Sequence, residues 1–254
     1  MPDLFAYLPE AVSAGVFWGF LAASLAGSFI TSAFGIGGGA LLLAIMATLL
    51  PTAVLIPVHG LVQVGSNAGR LFLLFRWVHW PAVPAFAAGS VIGCVVGGLV
   101  FVELPVSAIQ IGIGCFVIWS VLNRPPKWVR RFPLITGVLS SFLTMFLGAT
   151  GLFVSNYTKS FLLARHGHVG TQAALMSVQH SLKVIVFGLL GFGFASWWLM
   201  VLLMTIAGVV GTWLGRKVLG RMDDRGFLLI LNTLLVLTSL RLIWGGLTAL
   251  VANQ

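Results

Sequence analysis

The sequence predicts an all-α polytopic membrane protein built as two inverted repeats of about five helical elements each, with short glycine-broken helices meeting near the bilayer midplane. Three observations carry this expectation. Of the 254 residues, 59% are hydrophobic and 7% charged, with a mean hydropathy of +1.08. A soluble surface needs roughly 25% charged residues, so the solvent of this chain is the bilayer. Its Lys and Arg gather at the ends of apolar segments, and a glycine-rich motif in the first half is echoed in the second. Soluble enzymes, nucleic-acid binders and secreted disulfide scaffolds are excluded at this step, despite a net charge of +9.

About 20 apolar residues span a hydrocarbon core, and residues 12–34, 53–75, 81–101, 105–122, 171–191, 195–218 and 227–247 qualify. The segment 12–34 has no basic stretch or small-residue cleavage site before it, so it is expected to remain a helix of the mature protein. After it comes the run Gly35–Gly39, then a helix over 39–50 of roughly 18 Å at 1.5 Å per residue, too short to span. The helix over 53–75 ends in the basic turn 76–80, and those over 81–101 and 105–122 follow. A basic linker, 123–132, joins the first repeat (1–122) to the second (133–254). There the break at Gly148–Gly151 leads into another short helix, 152–164, and then into the helices over 171–191, 195–218 and 227–247. Cys94 and Cys115 lie in apolar segments without metal-ligand spacing and read as small packing residues.

The positive-inside rule assigns 76–80, 123–132, 165–170 and 216–225 to the cytoplasm, since they hold Arg76, Arg124, Lys127, Arg130, Arg131, Arg165, Arg216, Lys217, Arg221 and Arg225. Both termini, the turn around Glu103 and the uncharged turn 191–196 then lie outside. Trp77, Trp80 and Trp128 fall at the inner boundary and Trp197, Trp198 and Trp244 at the outer one, as aromatic belts require.

The internal repeat sets Gly35 on Gly148 and Gly38 on Gly151. It also sets His59 on Gln179, Gln63 on Lys183, and the pair Gly93/Gly97 on Gly211/Gly215. Corresponding turns fall on opposite sides of the membrane, which makes the halves inverted. Mid-helix glycines at i,i+4 spacing read as close-packing positions. The glycine breaks read differently, because a helix that starts inside the membrane offers free N–H groups and a positive dipole end to an anion. This is the broken-helix plan of secondary transporters.

His59, Gln63 and Asn67 follow at i, i+4 and i+8 on one helix face, with Arg70 a turn deeper, and Gln172, Gln179, His180 and Lys183 stand on the partner helix. Ionisable residues within a membrane mark substrate paths. Asp3, Glu10, Glu103, Asp223 and Asp224 all fall in termini or loops, so the centre is net positive. This argues against a cation substrate, an acidic Na⁺ site or a carboxylate proton relay. The candidate substrate-binding residues are Gly37, Gly38, Gly39, His59, Gln63, Asn67, Thr150, Gly151, Gln179 and Lys183, with no catalytic, metal or cofactor site expected.

Phe34-Gly-Ile-Gly-Gly-Gly-Ala-Leu-Leu-Leu, its echo Leu147-Gly-Ala-Thr-Gly-Leu and the glycine-spaced fourth helices resemble the TauE/SafE sulfite-exporter family of bacterial permeases, over nearly the whole chain. The resemblance implies a multi-pass protein of the bacterial inner membrane that moves sulfite or a related organosulfonate. The function expected is a secondary transporter exporting a small sulfur oxyanion by alternating access. An anion channel or a non-transporting membrane scaffold subunit is the alternative reading. An intramembrane enzyme ranks last, for want of a buried acid, a metal cluster or a Ser/Lys dyad. Partners are the anion and the lipid bilayer, with no nucleic acid, and assembly into a homo-oligomer is left open.

Overall fold

A computed structural model describes residues 8–9, 12–101, 105–123, 131–148, 150–219 and 224–252. The expectations for Asp3, Glu10, Glu103, Arg221, Trp128 and most of the basic linker lie outside these residues. Among the described residues there are ten α-helices and short 3₁₀ turns. The first half holds α1 (Ala14–Phe34), α2 (Gly38–Ala47), α3 (Thr52–Leu74), α4 (Val83–Phe101) and α5 (Val106–Leu122); the second holds α6 (Pro133–Leu147), α7 (Gly151–Lys159), α8 (Arg165–Leu189), α9 (Trp198–Val218) and α10 (Asp224–Ala252).

The two expected breaks are present and alike. Gly35 ends α1 at φ +81° with its N–H on Thr31 O, and Gly148 ends α6 at φ +69° with its N–H on Thr144 O. Positive φ is cheap only for glycine, so each motif stops its helix and turns the chain into a short one. Those short helices, α2 and α7, run for 10 and 9 residues, even shorter than the sequence suggests.

Three stretches, Ala14–Phe34, Trp80–Phe101 and Phe194–Val218, are long and apolar enough to cross a membrane. With 23 and 25 residues, α3 and α8 have the length as well, but polar residues dilute them and those residues face inward: His59, Gln63, Asn67, Arg70, Gln172, Gln179, His180 and Lys183 are all buried. Elsewhere the pattern is that of a protein in lipid. On α4, Phe86, Gly89, Ser90, Gly93, Cys94 and Gly97 are buried, while Val91, Ile92, Val95, Val96 and Leu99 are exposed. Small residues face neighbouring helices and bulky ones face outward.

Register fixes how the helices run. Ser24 Oγ donates to Met204 O, Ser28 lies against Gly208, and Ser32 Oγ donates to Thr212 O, so α1 and α9 are parallel. Likewise Gly89, Gly93 and Gly97 abut the backbone of Leu134, Val138 and Phe142 in turn, making α4 and α6 parallel. Gly60 meets Lys183 while Gly170 meets Leu74, which makes α3 and α8 antiparallel. The same holds for α5 and α10, where Gly114 meets Ser239 and Gly246 meets Ser107. At one end of the bundle Trp77 stacks near His166, with ring centroids 5.3 Å apart, and Leu219 lines the same cavity as Arg165. The basic segments around Arg76, Arg165 and Arg216 therefore share one end.

Two side chains depart from expectation. Trp197 is buried at 7% exposure, unlike its neighbour Trp198, because the 3₁₀ turn Phe194–Trp197 points it into the core. Cys94 is buried as a packing residue, whereas Cys115 sits on the exposed face of α5.

Candidate functional site

The polar residues of α3 and α8 meet where the two helices cross. On α3, His59 Nε2 lies 3.1 Å from Gly39 O at the start of α2. Since that carbonyl only accepts, Nε2 carries the proton in this contact, which leaves Nδ1 bare; Nδ1 is buried without a partner. Gln63 Nε2 stands 3.4 Å from the same His59 nitrogen. One turn on, Asn67 Nδ2 donates to Gln63 O at 2.8 Å.

On α8, Gln179 Nε2 donates to Ser140 O at 2.7 Å and to Thr150 Oγ1 at 2.9 Å. Both amide hydrogens are thereby spent tying α8 to α6 and to the start of α7. Its Oε1 has no partner. Gln172 repeats the motif lower down, donating to Gly151 O at 3.2 Å. Each short helix is thus held at its glycine start by a polar side chain of the long helix that follows it: α2 by His59, α7 by Gln179 and Gln172.

Lys183 and His180 complete the cluster. The His180 ring lies edge-on to His59, with centroids 6.1 Å apart, and neither of its nitrogens has a partner. Lys183 is fully buried, its stem laid over Gly60, and its Nζ has no hydrogen-bond partner. No Asp or Glu appears among the described buried residues. Burying a charge without a counter-charge is costly, and among the described residues nothing supplies one to Lys183.

The other candidates separate by what surrounds them. Gly38 is wedged against α1: a β-carbon there would overlap Gly27 O and meet Thr31 Oγ1. At Gly39 a β-carbon would meet the Gln63 amide nitrogen, the movable end of a side chain. A β-carbon on Gly151 would instead make ordinary contacts, 3.7 Å to Met176 Cε and 3.8 Å to Gln172 Nε2. Thr150 is buried and bonded to Gln179. Asn67 sits apart from the crossing, accepting from Arg70. Gly93, Gly97, Gly211 and Gly215 all press on neighbouring helices, as packing glycines do. Sequence reasoning missed Gly60 and Ser140, since neither carries a polar side-chain signal at a distinctive spacing.

A cavity of about 400 Å³ lies away from Lys183, at the basic end, between the Gly35 turn and the α7–α8 connection. Lys159, Arg165, His168 and Leu219 help to line it. His168 is held there by Thr158 Oγ1 at 2.9 Å from Nδ1 and Ser155 Oγ at 3.3 Å from Nε2.

Compared with known proteins, residues 19–242 match the family model described as "Sulfite exporter TauE/SafE". No curated protein and no solved structure matches the chain.

Proposed function

This chain belongs to the TauE/SafE sulfite exporter family, and from that premise we propose that it is a secondary transporter exporting sulfite or a related small organosulfonate by alternating access. Family membership itself makes it a multi-pass membrane transporter for sulfur anions, not an enzyme. The finer reading is carried by one observation: Lys183 Nζ is buried at the α3–α8 crossing with no partner, in a core whose described buried residues include no carboxylate.

In this reading Lys183 supplies the fixed charge and the Gln63 amide an orienting hydrogen bond, while His59 and Gln179, whose N–H groups are given to Gly39, Ser140 and Thr150, hold the starts of α2 and α7 in place. Thr150 and the backbone at Gly37–Gly39 and Gly151 contribute donors at the starts of α2 and α7, with Asn67 further along the path. The inverted arrangement of 1–122 and 133–254 is supported by the helix pairing. α1 pairs in parallel with α9, and α6 with α4; α3 pairs antiparallel with α8, and α5 with α10. Exchanging first-half helices for their second-half counterparts reproduces this set, and the counterpart pairs in direct contact, α3 with α8 and α5 with α10, run oppositely. Charge then puts the basic end, with its cavity, in the cytoplasm and both termini outside, in the inner membrane of a bacterium. An inside-negative potential favours anion export by about 2.3 kcal/mol per charge per 100 mV, so no coupling ion is required.

Thermal-shift measurements on purified protein with sulfite, thiosulfate, sulfate, taurine, sulfoacetate and chloride test the reading, since a ligand of the folded state raises its midpoint. A concentration-dependent rise with sulfite or a sulfonate, coupled to saturable flux in proteoliposomes, is expected. Equal, small responses to all six would overturn it.

A further inference from the structure

Besides Lys183, α3 buries a second cation that the transport reading leaves unused. Arg70 is 3% exposed. Nη1 donates to Asn67 Oδ1 at 2.8 Å and Nη2 to Ser66 Oγ at 3.3 Å, while Nε has no partner. Ser66 Oγ is in turn 2.7 Å from Ser28 Oγ on α1. These partners are neutral, and a guanidinium keeps its charge in proteins.

A basic side chain near a helix end ordinarily snorkels outward to the headgroups. Arg70 does the reverse. The basic end of the bundle lies beyond Leu74, yet the guanidinium turns back toward Ser66 and Asn67, into the core. Its position also fits a path. Gly60, which carries Lys183, and Arg70 are ten residues apart on α3, about 15 Å along the helix. His59, just before Gly60, and Gln63 and Asn67, between the two, form a file along the same stretch, with Gln63 Nε2 3.4 Å from His59 Nε2 and Asn67 Nδ2 donating to the Gln63 backbone carbonyl. Beyond Arg70, Leu74 packs on Gly170, near Val169 of the cavity lining.

We infer that Arg70 forms a second anion station on the same path, between the central cluster and the basic-end cavity. It takes an oxyanion of the class bound at Lys183. The inference rests on the transport reading. A guanidinium fork with Nε unpartnered presents an edge suited to two oxygens of one oxyanion, and the Ser28–Ser66 hydroxyl pair stands beside it. An anion leaving Lys183 toward the cavity would meet donors along the file and a second fixed charge before reaching open volume.

The test is anaerobic equilibrium dialysis of sulfur-35 sulfite against the full chain in lipid nanodiscs. The parent is expected to bind two sulfites per chain, and Arg70→Gln and Lys183→Met one each, with the affinity of the remaining station changed less than about threefold, as for distant sites. Arg70→Lys, which keeps the charge, should bind two. Thermal midpoints confirm folding, and Gln at 70 retains a donor for Asn67. If Arg70→Gln binds as many sulfites as the parent while Lys183→Met loses binding, the second station is wrong and the transport reading stands. A well-folded Arg70→Gln that binds none would also overturn it, by making the two cations one site. A parent that binds no sulfite overturns both.

Discussion

The stem of Lys183 crosses α3 at Gly60, where an added methyl would stand 2.6 Å from Lys183 Cε and 3.4 Å from Nζ. The lysine can occupy its buried position because the residue after His59 has no side chain. Gly60→Ala should therefore push the ammonium aside without breaking the helix, since the far end of a flexible chain is what must yield. Sulfite affinity is expected to fall about tenfold, or 1.4 kcal/mol, with little change in thermal midpoint, as read by isothermal titration. Unchanged affinity would show that the ammonium position does not set binding.

Lys183→Met removes the charge and keeps an unbranched chain of similar length. Relieving an unpaired buried cation is neutral or favourable by about 1 kcal/mol or more, so the apo midpoint should hold or rise while sulfite protection shrinks to the part that the Arg70 station supplies. Lys183→Arg should be intermediate, because a planar fork does not replace a compact ammonium. Full protection in the Met variant would move the charge elsewhere.

Gly38 and Gly151 each open a short helix, α2 and α7, yet their surroundings predict different outcomes. Ala at Gly38 would drive a methyl into the Gly27 carbonyl and should cost about 3 kcal/mol or more by overpacking, seen as lost expression or a large drop in midpoint. Ala at Gly151 finds ordinary contacts and should keep the fold within about 1 kcal/mol while slowing flux, because its methyl stands at the start of α7. Normal flux in Gly151→Ala would remove the α7 start from the site.

Leu162, at 92% exposure, is in the connection after α7, and Gly193 is in the turn after α8 with open space around it. In a background without Cys94 and Cys115, cysteines at these positions should label with an impermeant maleimide from opposite sides, Leu162→Cys from the cytoplasm and Gly193→Cys from outside. Labelling of both from one side would overturn the topology.

What the sequence made legible follows from periodicity and from residues with a single use. Gly35 and Gly148 stop helices because left-handed backbone suits few residues other than glycine, and the four-residue spacing of His59, Gln63 and Asn67 puts them on one helix face. Glycine pairs flagged for packing, Gly93 and Gly97 among them, do pack. Which surfaces they meet was not legible, since α1 finds α9 and α4 finds α6 only through three-dimensional arrangement. For the same reason Gly38, which reads as a backbone donor in the glycine break, turns out wedged against Gly27, a residue without any motif of its own. Trp197 and Trp198 look alike in sequence and part company because a 3₁₀ turn rotates one inward.

The parallel seam between α1 and α9 also has a consequence in time. Ser24 finds its acceptor at Met204, 180 residues further along the chain. At a synthesis rate of about 5–20 residues per second, α1 waits roughly 10–40 s in the bilayer with its α9-facing side, Ser24 and Ser32 on it, uncovered. During that interval the face is shielded only by lipid or by whatever the insertion machinery provides. Assembly of this transporter is therefore paced by the ribosome: its first helix cannot be finished until its ninth has been made.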